Sequence, residues 1–106
     1  MVDFVNLVSG KWAIPILYRL IVSGGPVRFG ELRRAVARIT QKELTKQLRL
    51  FEQRGLVSRT VFAEKPPRVE YAATALGRSL HPTLDLLAQW MREHRSELQS
   101  GEPAEQ

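Results

Sequence analysis

Three features of the sequence predict a mostly helical fold with a small β-hairpin. Apolar residues recur at helical spacing over two neighbouring segments, 30–36 and 40–55, which a short turn connects. Two segments that alternate between apolar and polar residues, 56–62 and 68–72, flank a turn containing two prolines. Longer apolar segments lie on either side of this region. The order predicts a winged helix-turn-helix domain with N- and C-terminal dimerisation helices.

The composition indicates one domain and an anionic partner. A chain of 106 residues supports a single core. Its formal net charge of +5 is spread through the predicted elements, so nucleic acid is the expected partner. These residues include no cysteine, which excludes disulfides, thiolate metal sites and thiol switches among them. We expect no membrane association and a cytoplasmic location, because no apolar segment is long enough to span a bilayer and no signal segment is evident.

The first long helix is expected to be buried on more than one side. Apolar residues between 2 and 8 suit a short helical turn, and the segment KWAIPILYRLIV, residues 11–22, is apolar on nearly every face. We expect it to pack partly on the core and partly on a second copy of the chain. With Ser9 as the N-cap, Pro15 would bend this helix. Residues 24–26, Gly-Gly-Pro, should end it.

A short strand at 27–29 and a helix at 30–36 follow. Three arginines lie around this helix: Arg28, Arg33 and Arg34. They predict either phosphate contacts or surface pairing with Glu31.

The helix at 40–55 has signals at both ends. Thr40 is a favourable N-cap, Glu43 completes a capping box, and Gly55 suits a left-handed C-terminal stop. Three apolar residues share one face: Leu44, Leu48 and Phe51. The opposite face carries Lys42, Thr45, Lys46, Arg49 and Gln53. At a length of about 22 Å, the helix can lie in a DNA major groove, although a basic face is also typical of plain solvent exposure.

The hairpin favours the DNA-binding interpretation. Residues 66 and 67 are prolines that stiffen its tip, and Lys65 and Arg68 place cations there. An ordinary solvated loop is the simpler alternative. A basic hairpin directly after a basic helix, however, is the pair that grips a duplex in the groove and on its backbone.

The C-terminal helix is predicted to be too apolar for one domain. Thr74 should cap it, and Pro82 should kink or break it near residues 79–81. One stripe contains Leu76, Leu80, Leu84, Leu87 and Met91. The residues expected at a dimer interface are Trp12, Ile16, Leu20, Leu86 and Trp90. The domain is expected to span 1–98, followed by a disordered tail at 99–106.

Catalytic and metal sites are not predicted. His81 and His94 are far apart in sequence and have no thiol partners, so we expect no zinc site, no cofactor and no enzyme activity. Trp12 and Trp90 suit packing, and in a dimer they could also line a pocket for a small-molecule effector.

Five motifs in register resemble the HxlR-type winged-helix transcriptional regulators of bacteria and archaea, relatives of the MarR group. The motifs are GKWAIPILYRL, RFGELRRAV, ITQKELTKQLRLFEQRGLVSRTV, PPRVEYAAT and LGRSL, and the likeness covers about residues 7–94. The resemblance implies a dimeric DNA-binding regulator. Its capped helix would enter the major groove, its wing would touch the backbone or minor groove, and its first and last long helices would build the dimer.

The family's motifs fall on particular residues of this chain. The TQK-like segment corresponds to 40–42, the L-T-x-x-L-R segment to 44–49, and the wing motif to 66–68. Many members carry a cysteine before the first helix that some use to sense quinones, aldehydes or oxidants. These 106 residues contain none, so thiol sensing is not carried over. Leu50 stands where an acidic residue is common, and nothing in the sequence explains it.

The sequence therefore predicts a sequence-specific transcriptional regulator that binds double-stranded DNA as a homodimer on a pseudo-palindromic operator. The predicted DNA-binding residues are Arg28, Thr40, Gln41, Lys42, Thr45, Lys46, Arg49, Lys65 and Arg68. The alternative is a winged-helix module whose basic face docks an acidic protein partner.

Overall fold

The computed structural model describes residues 10–100 as six helices and three strands. In chain order they are α1 (Ala13–Ser23), β1 (Val27–Arg28), α2 (Phe29–Ala35), α3 (Gln41–Gln53), β2 (Val57–Phe62), β3 (Arg68–Ala73), α4 (Ala75–Arg78), α5 (His81–Glu93) and α6 (Arg95–Ser100). The predicted helix-turn-helix and hairpin are confirmed. The helical turn expected before residue 10 lies outside the described residues.

The sheet has three strands rather than the two of a simple hairpin. β3 lies in the centre and pairs antiparallel with β2 on one side and β1 on the other. Val57 lies opposite Ala73 and Phe62 opposite Arg68, while Val27 lies opposite Tyr71. Phe29, expected in the strand, instead begins α2. β1 thus ties the start of the helix-turn-helix to the base of the wing.

One apolar core joins the helices to the sheet. Its fully buried large side chains are Ile16, Leu17, Leu20, Leu32, Leu44, Leu48 and Phe51. Fully burying one such side chain contributes roughly 1.5–3 kcal/mol, so each member of this cluster adds appreciably to the stability of a small domain. Ile16 and Leu20 are 0% and 1% exposed. Because they have no surface left for a second copy, the prediction that they lie at a dimer interface is corrected.

Pro15 does not bend α1 at an interior turn. The helix begins at Ala13, with Trp12 rather than Ser9 as the N-cap, so Pro15 lies in the first turn. An amide there has no partner within the helix, and the missing N–H therefore costs no intrahelical hydrogen bond. Gly24 ends the helix with a φ of 72°, as the Gly-Gly-Pro signal predicted.

The C-terminal region breaks where Pro82 predicted. Thr74 caps α4, α4 ends at Arg78, and Pro82 lies in the first turn of α5. Among the described residues of α5, only Leu84 is buried. Gln99 and Ser100 belong to α6, and the remainder of the expected tail, 101–106, lies outside the described residues.

A polar contact fixes α5 against α1. The Tyr18 hydroxyl donates to Asp85 Oδ1 at 2.8 Å, and this bond raises the pKa of Tyr18. His81 Nε2 lies 3.3 Å from Asp85 Oδ2, and its ring meets Tyr18 edge-on at 5.8 Å. None of the helices in the described region is long and apolar enough to cross a membrane.

The packing of α4 leaves no room for a side chain at Gly77. A Cβ there would stand 2.2 Å from the carbonyl oxygen of Leu56. We predict that Gly77→Ala lowers the free energy of unfolding by about 1–3 kcal/mol, because backbone atoms must move to admit the methyl group. Urea unfolding measures the change. Gly25→Ala is the matched control, since its Cβ would meet nothing within 4 Å; equal stability of the two variants would contradict the prediction.

Candidate nucleic-acid interface

The start of α3 is fixed by a reciprocal capping box. Glu43 N–H donates to Thr40 Oγ1 at 3.0 Å, and Thr40 N–H donates to Glu43 Oε1 at 3.1 Å. Hydrogen bonds from Thr40, chiefly from its backbone N–H and next from its hydroxyl, lower the pKa of the Glu43 carboxyl group. A hydrogen bond from the Trp12 side chain also lowers this pKa. Trp12 is half-buried against the core. This predicted interface residue therefore contacts the first turn of α3.

The two faces of α3 are as different as the sequence predicted. Leu44, Leu48 and Phe51 are each 0% exposed. On the outward side, four of the predicted DNA-binding residues are exposed: Gln41, Lys42, Lys46 and Arg49. Thr45, on the same side, is half-buried. Gly55, with a φ of 78°, follows the helix end. The cationic side chains therefore project from a rigid helix whose opposite face is locked in the core.

A groove of about 550 Å³ lies between the wing and the first turns of α2 and α3. It brings together five of the predicted DNA-binding residues: Arg28, Gln41, Thr45, Lys65 and Arg68. Lys42, Lys46 and Arg49 line the adjoining outward surface of α3. Thr40 lies outside this groove, on a neighbouring recess formed by the turn before α3. The predicted residues thus form one continuous surface with the capped helix end at its centre.

Arg68 is less available than the sequence indicated. Its Nη1 lies 3.0 Å from Glu64 Oε2, its Nε lies 3.1 Å from Glu70 Oε2, and its guanidinium stacks over Phe62 at 4.1 Å. Two carboxylates neutralise this charge, and the contacts tie the wing tip to β3. Lys65 has no ion pair among the described residues and is exposed. At the wing tip, Lys65 is therefore the cation that no described carboxylate neutralises.

Sequence reasoning missed both glutamates of this cluster. Glu64 is four residues before Arg68 across the turn, and Glu70 follows two residues later on the same face of β3. The alternation of side chains along a strand could have indicated the second pair.

The described C-terminal helices carry a large exposed apolar surface. Its members, which we call the C-terminal apolar face, are Leu86, Leu87, Trp90, Met91 and Leu98, between 42% and 66% exposed. The Trp90 ring stacks on His94 with 4.6 Å between centroids. In the described part of the chain, no His, Cys, Asp and Glu side chains are grouped to hold a metal ion.

A capped basic helix, a preceding short helix and a β-wing together define a winged helix-turn-helix DNA-binding protein. Residues 7–99 match the family model described as HxlR-like helix-turn-helix. The chain belongs to this family, and it is a transcriptional regulator with a helix-turn-helix DNA-binding fold.

Known proteins support the assignment. An uncharacterized HTH-type transcriptional regulator of Methanothermobacter thermautotrophicus is 44% identical over 101 residues, which are 94% of this chain and 76% of that protein. The regulator YkvN of Bacillus subtilis is 48% identical over 85 residues, covering 80% and 70% of the two chains. The structure of the redox regulator HypR in its reduced form matches with a TM-score of 0.83 and 40% identity over 93% of this chain and 97% of that one.

The capping box generates a stability prediction. We expect Thr40→Ala to lower the free energy of unfolding by about 1 kcal/mol, because the Glu43 amide loses its acceptor at the helix end. Thr83→Ala is the control, since Thr83 is exposed and its side chain makes no hydrogen bond in the described structure. Thermal unfolding measures both, and an unchanged midpoint for Thr40→Ala would contradict the prediction.

Proposed function

We propose that this cytoplasmic regulator binds a pseudo-palindromic operator as a homodimer, with each α3 in one of two successive major grooves. The observation that supports the DNA side is the continuous basic surface of α3 and the wing, whose rigid helix carries exposed donors while its opposite face is buried. Half-sites then lie about one helical turn, or a small multiple, apart.

The residues of this surface divide into two roles. Gln41, Thr45 and Arg49 project from the outward side of α3, where they can read base edges. The groups proposed to contact phosphates are Arg28, Thr40, Lys42, Lys46 and Lys65. Arg68, held by Glu64 and Glu70, shapes the wing that presents Lys65.

The C-terminal apolar face supports the homodimer. Leu86 is 66% exposed and Trp90 is 47% exposed. The Leu86 side chain has no polar group, and the indole N–H is the one polar group of the Trp90 side chain. A contiguous apolar surface on a small domain commonly marks a protein interface. A second copy placed about a twofold axis would cover the face on both chains at once.

We expect Gln41→Ala to change the preference among operator variants by roughly 1–3 kcal/mol, because it removes a base-reading side chain.

Lys46→Ala should weaken binding to every sequence and lower the salt slope by about 1, because one phosphate contact is lost. Fluorescence anisotropy with operator fragments selected from random DNA measures both effects. Arg19→Ala, an exposed cation of α1, is the control. No binding by the wild type at low salt would overturn the proposal.

We expect Leu86→Asp to shift the protein from dimer to monomer, since a carboxylate would be buried in an apolar interface. Sedimentation equilibrium measures the mass. Val61→Asp, at an exposed apolar position on the wing, should leave the dimer intact. A wild-type protein that sediments as a monomer at micromolar concentration would refute the proposed assembly.

A further inference from the structure

We infer that the turn between α2 and α3 forms a second phosphate-binding surface, which extends the DNA contact beyond the groove at the wing. Its binding groups are Arg34 and Arg38, and Arg33 is a positioning residue. The inference rests on the proposed DNA-binding function and names a further part of the same interface. Its ligand is the sugar-phosphate backbone, independent of base sequence.

The arginines of this turn form no ion pair with any acidic residue that the structure describes. Glu31, the carboxylate nearest to Arg34 in sequence, accepts the Arg28 backbone N–H at 3.0 Å and so caps α2. Glu43, the carboxylate nearest to Arg38, accepts the Thr40 backbone N–H at 3.1 Å in the capping box of α3. Within the described region, neither Arg34 nor Arg38 forms an ion pair. The surface pairing with Glu31 that the sequence left open is therefore absent from the structure for Arg34. Cations that remain unpaired on one small surface favour an anionic ligand.

The three arginines line one recess of about 650 Å³, together with Gly30 and the N-cap Thr40. Gly30 also lines the groove beside the wing, so the two concavities adjoin. Arg34 Nη1 stands 3.5 Å from the position a Cβ would take on Gly30. Its guanidinium therefore lies at the boundary between the recess and the groove. A DNA sugar-phosphate backbone that crosses the groove beside the wing would then reach the Arg34 guanidinium.

The turn holds Arg38 in an unusual conformation. Its φ is 74°, a left-handed value that glycine or asparagine adopts more readily than arginine. Arg33 Nε donates to the carbonyl of Ile39 at 3.5 Å, which braces the turn across its open side. Because the backbone is constrained, Arg38 presents its charge to the recess from a fixed point of attachment.

The arrangement has a measurable electrostatic consequence. Like charges that share one recess repel in the free protein, and a phosphate placed among them relieves that repulsion. Each cation that neutralises a phosphate releases condensed counterions and contributes about 0.9 to the slope of log K against log salt. Arg34 and Arg38 together should therefore account for nearly two units of slope, with equal effects on specific and random DNA.

The test uses the full chain and two DNA fragments, one carrying the selected operator and one of random sequence. The variant Arg34→Ala/Arg38→Asn removes both charges, and asparagine keeps the left-handed φ accessible, so the turn can fold. We expect the slope to fall by nearly 2 on both fragments, while the ratio of their affinities stays within about twofold. The charge-preserving variant Arg34→Lys/Arg38→Lys should retain most of the slope, and Arg19→Ala should retain all of it.

The outcomes separate the two proposals. Wild-type binding with an unchanged slope in Arg34→Ala/Arg38→Asn would overturn the phosphate-binding surface alone. A change in the operator-to-random ratio of tenfold or more would also overturn it, because the arginines would then read sequence. If the wild type bound neither fragment at any salt concentration, the proposed function would fail as well. Matching circular dichroism spectra would confirm that the variants are folded.

Discussion

The structure depends on the burial of one face of α3. Leu44, Leu48 and Phe51 are completely removed from solvent, and this anchors the helix so firmly that its outward side can be filled with cations. An isolated helix of this length is only marginally stable in water, so tertiary packing has to hold it. α1, α2 and the sheet all contribute to the core that receives these three side chains. The basic surface is therefore a consequence of apolar packing on the reverse of the same helix.

Much of this architecture could be predicted because its signals are local. The capping box of Thr40, the glycine stop at Gly55 and the break before Pro82 each depend on a few neighbouring residues, and the structure confirms them. The interior of α1 was harder to assign. Ile16 and Leu20 are apolar on a helix that is apolar on nearly every side, and periodicity alone does not say whether such a face meets its own core or another chain. Only the three-dimensional packing decides that.

The wing shows a similar limit for charged residues. A sequence displays Arg68 as a cation, but the two glutamates that neutralise it are brought there by the hairpin turn and the pleat of β3. The turn arginines show the reverse case, since Glu31 is close enough in sequence to pair with them and is instead held by a backbone amide. The net charge predicted an anionic partner, which agrees with the helix-turn-helix DNA-binding fold of the family. The availability of each cation follows instead from its hydrogen-bonding neighbours.

The junction at the end of α3 has a geometric consequence. The Thr74 hydroxyl donates to the carbonyl of Gly55 at 2.6 Å, the Thr74 amide donates to that of Leu56 at 3.0 Å, and Gly77 packs directly on Leu56. These contacts fix the segment after α3 against α4, which leads into the helices that carry the C-terminal apolar face. In the proposed dimer, this junction then sets the distance between the two α3 helices. A tilt of either pair of C-terminal helices would move the attached α3 along the DNA axis.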